Sequence, residues 1–272
     1  MLIAQLKGKL TREEEDLEDL LTSNIFGSLK YLAAEVGIMP LLSAVEKIDK
    51  TRPFEKLAKI LEVKYEFWPF LKEKGCYPCE PDVLLRIFFK NGEKTVVLIE
   101  AKFKSGKSSF ADQSEMPYDQ LAREWDNLVV LANREKARPL LLYITPHIGL
   151  PYEDVDSAKH EYAKKRGPEK EIDIGWISWR KLPAIYADSQ NELIKDAVEI
   201  LRRMGLTYFE GFSVTDPKDI RWSFSYKRKS KFITISWDFR VAEISWEYDR
   251  LLESSRNLKR FSYYEIQWRF NK

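Results

Sequence analysis

The sequence predicts an α/β (α+β) fold in which helices flank a mixed central sheet. Apolar residues recur at steps of three and four over residues 11–32, which predicts an opening helix. Two apolar runs, Val83–Phe89 and 95–99, predict strands, and the Asn91-Gly92 pair between them predicts a tight β-hairpin. Helix-like and strand-like segments then alternate, as they do in a mixed α/β domain.

The remaining elements of this first domain are predicted from periodicity and breaker residues. The opening helix has an acidic first turn, which suits the positive end of the helix dipole. A second helix is expected over residues 41–61, before the hairpin. After the hairpin, the pattern predicts in turn helix 118–137, strand 139–145, helix 152–165, an apolar segment at 172–179 and helix 189–204. We assign residues 1–205 to this domain.

Residues 206–272 predict a C-terminal β-rich subdomain. Apolar and polar residues alternate over 221–227, 233–237 and 264–270, which is typical of half-buried strands, and a short helix is expected over 246–258. We interpret the alternating aromatic residues as sheet core, although basic residues interleaved with aromatic rings also suit a nucleic-acid surface. The basic turn carries the better candidates for contacts with a phosphate backbone, Lys227, Arg228 and Lys229.

Composition excludes several classes of protein. The 272 residues carry a net charge of +2 and are 44% hydrophobic, which describes a globular chain rather than a uniformly basic nucleic-acid binder. There is no apolar run long enough to cross a membrane, and the first residues do not resemble a signal peptide. Cys76 and Cys79 are the only cysteines, and His147 and His160 do not complete a zinc motif with them. We therefore expect a cytoplasmic protein with free thiols.

A phosphate-binding loop is tempting at residues 104–108 because Gly106, Lys107 and Ser108 follow a predicted strand. The motif also needs a glycine where Ala101 stands, so this interpretation is rejected. Lys104 and Lys107 are better candidates for contacts with substrate phosphates, and a solvated loop is equally consistent with the sequence.

The chemically informative residues are Pro81-Asp82 and Glu100-Ala101-Lys102, at the two ends of the predicted hairpin. Because the start of one strand lies beside the end of its antiparallel partner, we expect Asp82 and Glu100 to be neighbours. Glu100 and Lys102 are two residues apart and share one face of their strand. Paired carboxylates suit Mg²⁺ or Mn²⁺, and a lysine beside them could stabilise charge on a phosphate. The bland alternative is a turn carboxylate and a solvated strand end.

This pattern resembles the PD-(D/E)XK nuclease superfamily and its restriction-endonuclease-like core, over about residues 12–145. The resemblance implies metal-dependent hydrolysis of nucleic acid, with Asp82 and Glu100 as metal ligands and Lys102 as the catalytic lysine. It also implies an acidic residue on the first helix near the metal, for which Glu18 is the first choice and Glu15 the second. Some members carry a glutamine on the following helix, which matches the catalytic candidate Gln120. Glu124 stands where those members often have a tyrosine.

We therefore expect a Mg²⁺-dependent (or Mn²⁺-dependent) phosphodiesterase that cleaves nucleic acid, with DNA favoured over RNA, and no association with membranes. A homodimer is left open, because restriction-type enzymes often dimerise to cut both strands. The alternative is a catalytically silent nucleic-acid-binding or protein-interaction module on the same fold. Metal-dependent cleavage distinguishes the first interpretation from the second.

Overall fold

The structure is a computed structural model that describes residues 2–10, 18–54, 58–104 and 117–208, together with the backbone of strands 220–228 and 231–239. The chain divides into two compact units, Met1–Phe209 and Glu210–Lys272. The amino-acid sequence predicts the boundary between the two domains four residues earlier, between residues 205 and 206. The two units are described separately.

A six-stranded mixed sheet organises the first unit. Its strands are β1 (Glu46–Lys47), β2 (Ile60–Phe67), β3 (Val83–Phe89), β4 (Lys94–Ala101), β5 (Arg138–Thr145) and β6 (Ile174–Ser178). They lie side by side in the order β1-β6-β5-β4-β3-β2. Strands β2, β3 and β4 form an antiparallel meander, β5 and β6 continue parallel to β4, and β1 pairs antiparallel with β6. The predicted mixed sheet is thus confirmed.

Helices cover both faces of the sheet. They are α1 (Leu2–Leu6), α2 (Glu18–Lys30), α3 (Ile38–Ser43), α4 (Gln120–Arg134), α5 (Tyr152–Arg166), α6 (Leu182–Ile185) and α7 (Glu192–Arg203), and a 3₁₀ turn spans Trp179–Lys181. Because alternate residues of a strand point to opposite faces, β3 buries Leu85 against α2, α3 and α7 and buries Leu84 against α4 and α5. The central strands are therefore packed between two apolar cores, one on each face of the sheet.

The predicted hairpin is confirmed. Strands β3 and β4 are joined by four residues, and Gly92 adopts a left-handed φ of 84° that favours glycine. The Asn91 side chain accepts a 3.1 Å hydrogen bond from the Glu93 N–H, which stabilises the turn. Strand β4 runs on to Ala101, beyond the predicted end at Ile99, so Glu100 lies within the strand.

The predicted helix over residues 41–61 is wrong. Helix α3 ends at Ser43, β1 follows, and β2 begins at Ile60. The Asp49 carboxylate accepts hydrogen bonds from the backbone N–H and the hydroxyl of Thr51, at 2.9 and 2.6 Å, and this local turn competes with a helix. Pro53 then removes a backbone donor that a continuing helix would need. The prediction followed apolar spacing and gave these breaker residues too little weight.

The other predicted elements of the first unit are confirmed with ends shifted by up to three residues, where they are described. The opening helix is seen as α2, and residues 11–17, with Glu15, lie outside the described residues. In the second unit, the two strands expected near 221–227 and 233–237 are seen as β7 (Ile220–Arg228) and β8 (Lys231–Phe239), which pair antiparallel with Trp222 opposite Trp237. Residues 246–258 and 264–270 also lie outside the described residues. Among the described helices, none has the length and apolar character needed to span a bilayer.

Candidate active site

The hairpin brings Asp82 and Glu100 to the same end of the sheet. Val83 pairs with Ile99, so the two carboxylates flank the last pair of this register. Asp82 Oδ2 accepts a 2.8 Å hydrogen bond from the Ala101 N–H, which ties the Asp82 side chain directly to β4. Both residues are buried. The expectation that Asp82 and Glu100 are neighbours is confirmed.

Lys102 lies beside the two acids, one residue beyond the end of β4. Its backbone N–H donates to the Ile144 carbonyl at 2.8 Å, which holds this segment against β5. Its Nζ is 2.5 Å from Glu100 Oε1 and 3.3 Å from Glu18 Oε1. Glu18 is fixed in turn because its Oε2 accepts a 2.7 Å hydrogen bond from the Phe103 N–H. Helix α2 therefore brings its first acidic residue to the end of β4.

Helix α4 supplies two further polar side chains to this group. Asp119 caps the helix by accepting a hydrogen bond from the Ala122 N–H. Gln120 Nε2 then donates to Glu100 Oε1 at 2.5 Å and to Glu124 Oε1 at 3.0 Å. Gln120 and Glu124 are four residues apart and so share one helix face, which is the signal in the sequence that could have placed Glu124 here.

Glu124 is the member of the group that sequence reasoning did not assign to the site. Glu124 is 1% exposed, and its Oε2 atom has no hydrogen-bond partner in the described part of the chain. Burial, and then repulsion by Glu100, raise the pKa of Glu124 well above its usual value. As a carboxylic acid it can donate to Glu100, which satisfies both groups. We call the whole set the site cluster: Glu18, Asp82, Glu100, Lys102, Gln120 and Glu124.

The site cluster holds more acids than cations. Lys102 is the one cation among its six side chains, and four of the other five are acids. Burial raises the pKa of Asp82 to about 8, and the nearby Glu100 charge adds to the shift. Burial also raises the pKa of Glu100. Burial alone would lower the pKa of Lys102, but Glu100 and Glu18 together raise it, so this lysine stays protonated.

The donor chemistry of the site cluster suits a hard divalent cation. Mg²⁺ binds proteins through one or two carboxylates and keeps several waters, a requirement that Asp82 and Glu100 can meet. The excess negative charge would be offset by such a cation. In the part of the chain that the structure describes, no group of three or more His, Cys, Asp or Glu side chains could hold a metal ion together. Any metal ion here would therefore depend on water for most of its ligands.

The other predicted site residues are Lys104, Lys107, Lys227, Arg228 and Lys229, whose expected contacts with substrate stay a prediction. Lys104 is exposed, and its Nζ lies 5.5 Å from the centre of the Phe103 ring. Lys107 and Lys229 lie outside the described residues, and Lys227 and Arg228 belong to β7 in the second unit. The expected free thiols are confirmed, since Cys76 and Cys79 are unbridged and half-buried.

Comparisons with models of known protein families, with curated proteins and with solved structures each found no match. The resemblance to PD-(D/E)XK nucleases thus stays a prediction. The function has to be inferred from the chemistry of the site cluster.

Proposed function

We propose that this protein is a metal-dependent nuclease of the PD-(D/E)XK type, which hydrolyses phosphodiester bonds of nucleic acid, with DNA as the favoured substrate. The observation that carries the proposal is the meeting of Asp82, Glu100 and Lys102 at the paired ends of β3 and β4. Two buried carboxylates are costly without compensating charge, so their joint burial with one lysine indicates a site with a function.

Asp82 and Glu100 are the proposed ligands for Mg²⁺ or Mn²⁺. When bound, such an ion would neutralise phosphate charge and make a coordinated water more acidic. Lys102 remains protonated and can hydrogen-bond either the attacking oxygen or a phosphate oxygen, where negative charge develops. Glu18 Oε1 also lies 3.3 Å from the lysine Nζ.

Gln120 is proposed as a positioning residue rather than as a group that touches substrate. It donates to Glu100 Oε1 at 2.5 Å, so it fixes the rotamer of a proposed ligand. Hydrogen bonds to the outer side of a metal ligand commonly determine its orientation and metal affinity. This role explains why the glutamine is useful although the tyrosine expected four residues later is replaced by Glu124.

The order of elements supports a restriction-endonuclease-like core, which we include in the proposal. Helix α2 precedes the β2-β3-β4 meander, and α4 then leads to β5, which is parallel to β4. The proposed active site lies where β3 begins and β4 ends, with residues from both flanking helices. This is an argument from analogy of fold and carries less weight than the site cluster itself.

The test is a cleavage assay on single-stranded DNA, duplex DNA and RNA with Mg²⁺ or Mn²⁺. We expect cleavage by the wild type that is lost in EDTA and in the Asp82→Asn and Lys102→Met variants. Asp156→Asn and Lys195→Met are matched controls, because both residues are solvent-exposed and outside the site cluster. Equal cleavage by all variants would indicate a contaminating nuclease, and no cleavage of any substrate by the wild type would contradict the proposal.

A second candidate is a module on the same fold that binds nucleic acid without cleaving it. It is favoured by one observation: Glu100 Oε1 already accepts from Gln120 and pairs with Lys102, an arrangement that is satisfied without a metal. This candidate predicts salt-dependent binding of nucleic acid that survives in Asp82→Asn, with no cleavage by any form of the protein.

A further inference from the structure

Several aromatic residues lie at the end of β2, next to the start of β3 where Asp82 stands. They are Phe67, Trp68 and Phe70, and together with Tyr31, and with Lys30 at the edge, we call them the aromatic shelf. Tyr31, Trp68 and Phe70 are 78%, 39% and 67% exposed. The rings of Phe67 and Trp68 are in contact, with centroids 5.7 Å apart. Contiguous exposed apolar surface marks an interaction site more often than scattered single residues do.

The backbone connects the shelf to Asp82. The Trp68 N–H donates a 2.9 Å hydrogen bond to the Asp82 carbonyl, so Trp68 continues β2 opposite the proposed metal ligand. On its other side, Asp82 accepts the Ala101 N–H through its carboxylate. Asp82 therefore lies between the backbone of Trp68 and that of Ala101, which places Trp68 one strand away from the site cluster.

The local backbone holds Trp68 out from the sheet at a conformational cost. Trp68 has a φ of 47°, in the left-handed region that a bulky residue seldom adopts. Such strain persists where the surrounding structure enforces it, and it clusters at ligand-binding sites. Buried Pro69 follows, and Leu71 pairs with Cys79, so the segment is fixed at both ends.

A positive charge accompanies the rings. Lys30 Nζ lies 5.9 Å from the ring centres of both Tyr31 and Phe67. Glu66, the acidic neighbour on β2, is already paired with Arg86 at 2.8 Å. The shelf therefore offers flat apolar faces with a cation beside them, which is the combination that binds unpaired bases and their phosphates.

We propose that the aromatic shelf binds the unpaired bases of a single-stranded nucleic acid whose backbone crosses the site cluster. This inference rests on the proposed function and gives it a substrate class, single strands or the unpaired ends of duplexes. The bases of an intact duplex stack on one another and present only their edges, so they cannot lie on exposed rings. Trp68 and Phe70 would act as binding residues that set this preference.

The test measures binding without cleavage. The anisotropy of a labelled single-stranded DNA and of the same sequence as a blunt duplex is recorded in EDTA with the full chain. We expect the wild type to prefer the single strand by about tenfold or more, and Trp68→Ala and Phe70→Ala each to weaken single-strand binding by about tenfold. Trp68→Tyr should retain most of the affinity because it keeps a ring.

Tyr152→Ala is the matched control, because Tyr152 is an exposed aromatic residue, 62% exposed, away from the shelf. It should bind like the wild type. The proposal is overturned if the wild type binds both DNAs equally or not at all, or if both shelf variants bind like Tyr152→Ala. It is also overturned if Phe70→Ala abolishes self-association in sedimentation while single-strand binding is unchanged, since the shelf would then be a protein interface.

This outcome is separate from that of the cleavage assay. Shelf-dependent binding without any cleavage would retain the shelf and reject the nuclease. Metal-dependent cleavage with no effect of the shelf variants on binding would retain the nuclease and reject the shelf.

Discussion

Two groups of ionisable side chains include buried carboxylates from helix α4, and they are built in opposite ways. The site cluster gathers four acids around Lys102. The second group, which we call the ion-pair cluster, consists of Asp126, Lys165 and Arg166. Asp126 has a side chain only 2% exposed, and its oxygens lie 2.8 Å from Lys165 Nζ and 2.6 Å from Arg166 Nε.

The two clusters differ in how their charge is compensated. Burial alone would raise the pKa of Asp126, but hydrogen bonds from Arg166 and Lys165 hold it below its usual value. In the site cluster burial raises the pKa of Asp82 to about 8, and Lys102 does not offset it. A buried charge that is balanced within the protein needs no ligand, whereas an unbalanced group of carboxylates is a candidate functional site. We therefore propose a structural role for Asp126 and a functional role for Asp82 and Glu100.

The largest expected effect is on the cleavage rate, which should depend on the site cluster and not on the ion-pair cluster. Glu100→Gln removes one of two proposed metal ligands, so we expect the cleavage rate to fall by about 100-fold or more. Asp126→Asn should leave the rate of the folded protein nearly unchanged. Single-turnover cleavage at saturating Mg²⁺ measures both. Equal losses in the two variants would remove the functional distinction between the clusters.

The next largest effect is on stability, which should depend more on the ion-pair cluster than on the site cluster. Asp126→Asn leaves two cations without their shared partner and should lower the free energy of unfolding by about 3 kcal/mol. Glu124→Gln replaces a buried group whose raised pKa keeps it protonated, so it should change stability by less than about 1 kcal/mol. Urea denaturation at neutral pH compares them. A larger loss in Glu124→Gln would mean that this residue is chiefly structural.

The pH dependence of stability should also differ. Asp82 has a folded pKa near 8 against an ordinary value of 3.8, so the native state binds the proton more tightly. Its stabilising contribution is full below about pH 4 and is lost as the pH rises through 8. Asp82→Asn has no group that titrates at this position. The free energy of unfolding of this variant should therefore rise relative to that of the wild type between pH 5 and about pH 8.5. Urea midpoints in EDTA measure the difference, and a constant offset would show that Asp82 does not titrate this way.

The smallest expected effect is on the stability contributed by Glu135, an acid that is more exposed than Asp126 and is also paired with two cations. Glu135 pairs with Arg86 at 3.0 Å and with Lys94, and its side chain is 18% exposed. Burial alone would raise the pKa of Glu135, but hydrogen bonds from Lys94 and Arg86 hold it below its ordinary value, so its stabilising contribution is present above the ordinary pKa and is lost as the pH falls through the lowered one. Glu135→Gln should cost about 1 kcal/mol at neutral pH, less at high salt, and nothing in activity. A loss of stability as large as that of Asp126→Asn would contradict the expectation that the more deeply buried carboxylate contributes more.

The sequence was sufficient for elements with strong local signals. The hairpin was predicted because Asn91-Gly92 separates two apolar runs, and the pairing of Asp82 with Glu100 followed from it. Helix 41–61 was wrong because leucine spacing over that stretch does not reveal that Asp49 and Pro53 interrupt the backbone. Strand β2 was not predicted, since an edge strand has one partner and a weaker apolar pattern.

Tertiary contacts account for what could not be predicted in the site. Glu124 was seen only as a departure from the expected tyrosine, because its hydrogen bond to Gln120 and its burial depend on how α4 packs against β4. The left-handed backbone angle of Trp68 was not predicted, although Pro69 restricts the conformation of the residue before it. Lys227 and Arg228 belong to the second unit, and their expected contacts with a phosphate backbone stay a prediction.

The central claim is that the excess charge of the site cluster is completed by a divalent cation. Calorimetric titration of the full chain with Mn²⁺ tests it directly, with Asp82→Asn and the exposed control Asp156→Asn measured alongside. We expect saturable binding by the wild type and by Asp156→Asn, and at least a tenfold loss of affinity in Asp82→Asn. Absence of saturable binding by the wild type, or equal affinity in Asp82→Asn, would contradict the claim.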